Sequence, residues 1–462
     1  MYADTQNIAD GASATIKIVE KDADGNDDDV TTLKTTVQNG KIRCTFDADF
    51  SNKEKKLAFI IKAENVSSNE SGVLNIVIPK VSVQFRTSGN YTGEYGFDWL
   101  RGGDSGRPGD TWYAKIMGTC TGEGDNFKKD IRVYDKYVAN EFGGKKQYKI
   151  FWKKGKNNIY TVPIMTLLKD RKAVLTLKIE TAEEAETLQY VYDKNIFEIT
   201  EHKTPNLSTG KRTMGDAISI LCKEEFAKDQ IIEVYAYGRK GNEKTKQLAG
   251  KLIVKANDKK HQHTINVALV NVITEDGHKD EKKRRSENSM QIKKIQKGLD
   301  QCYVNVNIVE KEMDVTPSAN TSNSFYNFMT HDGFLKSPIR DDFFSFLENY
   351  FLDEFPSFND YYKIFIIDKS CKVTDKRNTF YIKGQARGKG TREVIILKEG
   401  IDGYTGIHEL LHTFGLYHSF SNSNNYIWER YGTDNIMDYV RDKDIRIAMW
   451  QYQWKTINPN ME

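Results

Sequence analysis

A chain of 462 residues, 38% apolar and 11% aromatic, has material for several packed cores and is not a disordered or low-complexity protein. Its 68 Lys and Arg against 65 Asp and Glu leave a net charge of +3, too small to argue for nucleic-acid or membrane affinity. The five cysteines, Cys44, Cys120, Cys222, Cys302 and Cys371, are odd in number and widely spaced, which fits free thiols in a reducing compartment and not a disulfide framework. Residues 1–11 are polar, so no secretory signal peptide is expected, and no stretch has the apolar length of a membrane span. The expectation is synthesis in the cytoplasm, where the protein stays unless the sequence is a mature form or it is exported by a route that needs no cleavable signal.

In chain order, residues 1–79 read as a β-sandwich-like module, with alternating or apolar runs at 14–19, 57–61 and 73–78 and Pro79 closing it. The acidic stretch Asp22 to Asp29 lacks the sixth-position glycine and the twelfth-position glutamate of a calcium loop, so it reads as a hairpin turn. Residues 80–163 read as a β-rich module. It carries the string Gly93-Glu94-Tyr95-Gly96-Phe97-Asp98-Trp99-Leu100-Arg101, whose aromatics read as core and whose Asp98 and Arg101 read as a local pair. Residues 164–260 carry strand runs at 173–179, 231–237 and 250–254, the spacing of an immunoglobulin-like module.

Short β-modules bearing that Gly-Glu-aromatic-Gly-Phe-Asp-Trp-Leu-Arg string ahead of a C-terminal enzyme resemble effectors of bacterial contractile injection (type VI-like) systems, over about residues 80–260. The resemblance implies a secreted or injected toxin whose N-terminal modules engage a secretion apparatus. It also accounts for the absent signal peptide and the reduced cysteines.

After residue 260 the pattern becomes alternating strands and helices. The basic run His278 to Arg285 reads as a solvated loop. Strands are predicted at 265–273, 304–309, 362–367, 379–386 and 393–397, with helices over 286–302 and 341–351. Then comes His408-Glu409-Leu410-Leu411-His412-Thr413-Phe414-Gly415-Leu416-Tyr417-His418. Histidines four apart project from one helix face, as two imidazoles sharing one metal must. Gly415 ends the helix at little steric cost, and the chain doubles back to bring in His418. Three protein ligands and one open position describe a catalytic zinc, one per chain.

This H-E-x-x-H-x-x-G-x-x-H pattern, with Thr433-Asp434-Asn435-Ile436-Met437-Asp438-Tyr439 downstream as a Met-turn, resembles the metzincin peptidases. The resemblance implies an α/β (α+β) metzincin-like catalytic domain over residues 261–462, following all-β modules in a multidomain chain. It implies Met437 as an apolar floor under the metal and Phe380 to Ala386 as the edge strand that receives an extended peptide. Tyr439 matches the position where astacins and serralysins carry a zinc-binding tyrosine, so it is expected to ligate the resting metal or to meet the oxyanion. Asp438 reads as a turn group. No Pro-Arg-Cys-Gly latency string is present, and a closing helix with an aromatic face is predicted over 445–454.

Zinc on three neutral imidazoles lowers the pKa of a bound water toward about 7. Glu409 is then placed as general base and returns the proton to the departing amine. The expected function is a zinc metalloendopeptidase acting on a peptide or protein. The alternatives are a zinc amidase acting on peptidoglycan and a delivery or binding protein with an inactive peptidase domain. An intact Glu409 beside all three histidines argues against the last.

Overall fold

A computed structural model describes residues 1–21, 27–46, 55–76, 79–240, 243–275, 280–317, 324–375, 378–439 and 446–461. It is mostly β-sheet with some helices, distributed over several cores. No helix among the described residues is long and apolar enough to cross a membrane. All five cysteines are free thiols.

The first unit centres on Ser13–Glu20, flanked antiparallel by Asp28–Thr36 and Lys55–Ala63. Strand alternation sends Ala14, Ile16 and Ile18 into its small core. Residues 22–26 of the acidic stretch and Val77 and Ile78 lie outside the described residues.

The next core lies between two sheets. One runs Phe197–Glu201, Gly210–Cys222, Lys172–Glu183, Lys80–Thr87, and the other Thr187–Val191, Gln230–Lys240, Glu243–Val254, Ile164–Met165, Phe97–Asp98. Lys80–Thr87 pairs along Lys172–Glu183, and Phe97–Asp98 pairs with Ile164–Met165, so strand pairing runs across residue 163. The segment expected to be simply β-rich also contains a 12-residue helix, Ile131–Phe142. Its N-cap is Asp130, whose carboxylate accepts from the Arg132 N–H, a local signal present in the sequence.

The C-terminal sheet runs Val304–Asp314, His263–Ile273, Tyr362–Ile367, Glu393–Leu397, Gly384–Ala386. All neighbours are parallel except the last pair, which is antiparallel and forms the edge. Glu281–Asp300 and Thr405–Thr413 share one core with the sheet, while Asp341–Glu354 belongs to another. Three details differ from expectation. Glu281–Asp300 begins inside the basic run, where the Asp280 side chain caps the Lys283 N–H and Arg284 pairs with Glu312 at 2.6 Å; His278 and Lys279 lie outside the described residues. The strand expected over 379–386 is two pieces: Asn378–Ile382 forms a hairpin with Cys371–Asp375, and only Gly384–Ala386 joins the sheet. The closing helix is Gln451–Ile457, preceded by a bridge between Ala448 and Asn435.

Two seams tie the N-terminal half to the C-terminal end. Met117–Thr121 pairs antiparallel with Ile427–Trp428, across residue 260. Tyr113 and Tyr137 pack edge-on against Trp428, which stacks on Trp450 at 4.0 Å. The aromatics of the Gly-Phe-Asp-Trp string are core, as expected, but its charged residues do not hydrogen-bond each other. Asp98 accepts from the Gln451 N–H at 3.0 Å, and the Arg101 guanidinium reaches Asp434 at 3.1 Å.

Candidate metal centre

Thr405–Thr413 is held against the sheet by Ile407, Leu410 and Leu411, all fully buried. Gly384 on the edge strand lets this helix approach. A Cβ there would meet Thr405 Cγ2 at 2.5 Å and Ile395 O at 2.8 Å, so any larger residue pushes helix and strand apart. The helix ends where Gly415 takes φ +97°, a conformation that only glycine adopts freely, and the Gly415 N–H closes onto His412 O. The chain then turns back, and His418 comes to lie beside the two helix histidines.

His408, His412 and His418 each offer a ring nitrogen, and these three atoms lie within 4.8 Å of one another. Every Nδ1 faces an oxygen. His408 donates to Ile436 O at 2.7 Å, His412 to Leu416 O at 2.7 Å, and His418 to a Glu123 carboxylate oxygen at 2.8 Å. Carbonyls and carboxylates accept only, so each Nδ1 carries the hydrogen and each Nε2 keeps a bare lone pair. His412 Nε2 and His418 Nε2 are 3.1 Å apart. Two lone pairs at that distance repel unless a cation stands between them. A tetrahedral zinc with Zn–N bonds of ~2.0–2.1 Å would set its ligand nitrogens about 3.3 Å apart. The donor set therefore fits a metal ion. Burial, the largest cause for all three, lowers the imidazole pKa values, that of His412 to about 4, so the rings are neutral as ligands must be.

Glu409 is partly buried, and its Oε2 accepts the Ala386 N–H at 3.0 Å. Burial pushes its carboxyl up to about 7, against the Ala386 N–H and the charge of Arg446, which pull it down. Met437 is fully buried among the residues behind the histidine helix, and its carbonyl accepts the Ser419 N–H. The carbonyl that orients His408 belongs to the neighbour of Met437, Ile436. Asp438 is a turn group, because its carboxylate accepts from Tyr431 N, Thr433 N, Thr433 Oγ1 and Tyr439 N. The Tyr439 ring stands 4.9 Å from the His418 ring and 4.9 Å from Phe420, and burial, then Glu409, raises its hydroxyl pKa to about 12. Phe380 and Tyr381, expected along the cleft, are exposed on the Asn378–Ile382 hairpin.

Sequence reasoning missed Glu123, which also accepts from Ser421 Oγ, and Arg430, whose guanidinium lies 4.7 Å over Phe420. Neither sits in a recognisable motif.

No protein-family model and no curated protein matches the sequence. Among solved structures, metalloproteinase-II from Bacteroides fragilis is 11% identical over 67% of this chain and 90% of its own, at a TM-score of 0.28. A sialyltransferase from Photobacterium damsela is 15% identical over 44% of this chain and 35% of its own, at a TM-score of 0.12. At TM-scores this low, neither likeness says anything of this chain's fold or chemistry.

Proposed function

We propose that the chain is a zinc-dependent endopeptidase, with His408, His412 and His418 as metal ligands and Glu409 as general base. The supporting observation is the convergence of three histidines, each with an oxygen acceptor on its Nδ1. When bound, zinc supplies Lewis acidity, polarising a carbonyl and acidifying a water. Glu409 takes up the proton of the attacking water and delivers it to the departing amine nitrogen. The Ala386 N–H occupies its Oε2, which leaves Oε1 to carry that proton. Tyr439 donates its hydroxyl to the oxygen that gains charge as the carbonyl is attacked. The edge strand Gly384–Ala386 takes an extended substrate as an added strand.

The fold reading that accompanies this is a metzincin-like domain built on residues 261–462, preceded by immunoglobulin-like β-units. Those units, on the same reading, engage a secretion apparatus that injects the chain as an effector.

The test is elemental analysis of protein purified without added metal, beside cleavage of a peptide library and of peptidoglycan. One zinc per chain, lost in His408→Ala, with peptide cleavage lost in Glu409→Gln that still holds zinc, is the expected result. A chain without zinc, or cleavage surviving Glu409→Gln, overturns the reading. Cleavage of peptidoglycan alone makes the enzyme an amidase.

A further inference from the structure

The three histidines are not held alike. His408 and His412 donate to main-chain carbonyls of the C-terminal segment, at Ile436 and Leu416. His418 lies beyond the helix, and its Nδ1 is met by the carboxylate of Glu123, 295 residues earlier in the chain. Glu123 occupies the tip of the hairpin formed by Met117–Thr121 and Asp125–Lys129. That hairpin is stitched to the chain just past His418. Asn422 N–H donates to Gly122 O at 2.9 Å, Cys120 Sγ to Phe420 O at 3.2 Å, and Met117–Gly118 pairs with Ile427–Trp428. The second Glu123 oxygen accepts from Ser421 Oγ at 2.9 Å, and Ser421 is fully buried. The carboxylate is thus anchored at one oxygen and aimed with the other.

From this geometry, and resting on the zinc reading above, we propose that Glu123 is a positioning residue of the metal centre. It fixes the His418 tautomer with Nε2 bare, holds the ring plane toward His412, and makes the imidazole a stronger donor through a charge-assisted hydrogen bond. The ligand set is then complete only when the hairpin of the N-terminal half is docked. Metal affinity becomes a property of both halves of the chain.

Zinc affinity of the full-length chain, measured by competition with a chromophoric chelator, tests this, together with the absorption spectrum of the cobalt(II)-loaded protein and the melting temperature of the metal-free protein. Glu123→Ala is expected to weaken zinc about 10- to 100-fold and to shift the cobalt spectrum, while the metal-free protein melts as wild type does. Glu123→Gln keeps the volume and one acceptor oxygen, so it should recover part of the affinity. It also decides the matter if Glu123→Ala does not fold: a several-fold weakening supports the assignment, and wild-type affinity with an unchanged spectrum overturns it. If wild type binds zinc, His408→Ala does not, and Glu123→Ala binds as tightly as wild type, the Glu123 role falls and the zinc reading stands. Wild type that binds no zinc overturns both.

Discussion

Arg101 and Asp434 form an ion pair at 3.1 Å, with side chains 0% and 3% exposed, at the point where the N-terminal half meets residues 433–439. The Arg101 Cζ stands over the Trp99 ring, 3.2 Å from its centroid. Burial pushes the Asp434 carboxyl up, and the Arg101 charge opposes that shift. Two groups so far from water stabilise each other only as a pair. Removing one strands a buried charge, at about 3–5 kcal/mol. Arg101→Met is therefore expected to lower the denaturant midpoint by a corresponding amount, and Arg101→Met with Asp434→Asn should recover much of it. Unfolding curves that superimpose on wild type for Arg101→Met would remove the pair from the account.

A chain starting at residue 261 is expected to be insoluble or to bind metal poorly, although its strand and helix order reads as self-contained. It lacks the partner of Asp434, the strand that pairs with Ile427–Trp428, the tyrosines that cover Trp428, and Glu123. Expression of this fragment beside one starting at residue 80 measures the effect. A soluble 261–462 fragment with full zinc content would show that the seam is dispensable.

Tyr439→Phe keeps the ring that packs on His418 and Phe420, so stability should barely change. If the hydroxyl meets the oxyanion, kcat falls about 10²–10³-fold with little change in KM, the pattern of an interaction made in the transition state. Steady-state kinetics on a cleaved peptide read this directly. Full activity with a lower melting temperature would make Tyr439 a packing residue only.

Asp98, whose carboxylate accepts from the Gln451 N–H, gives a pH signature of its own. Burial raises its carboxyl to about 7, against Arg101 and the Gln451 N–H, which pull it down. Below about pH 4 the group is neutral in both the folded and the unfolded chain. As pH rises the unfolded chain ionises first, so this carboxyl costs stability progressively until it ionises in the fold near 7. The stability of wild type relative to Asp98→Asn should fall from pH 4 to pH 7 and level off above that. A difference that stays flat across this range would mean Asp98 is ionised throughout.

Whatever depends on near neighbours was legible in the amino-acid order alone. Histidines at i and i+4 must share a helix face, Gly415 must end that helix, and alternation at 14–18 must bury one side of a strand, because each follows from local backbone geometry. The acid–base chemistry expected of Glu409 is legible for the same reason, as it adjoins His408. A break within 379–386 was not legible, since it arises because Asn378–Ile382 pairs with Cys371–Asp375 while Gly384–Ala386 pairs with Glu393–Leu397. Nor was the partner of Arg101 or the acceptor on His418, which come from 333 and 295 residues away. No periodicity links such positions. They meet only because burying Tyr113, Tyr137, Trp428 and Trp450 against one another closes the N-terminal half onto the C-terminal end, and apolar burial constrains area and volume without marking which charged groups it will bring together.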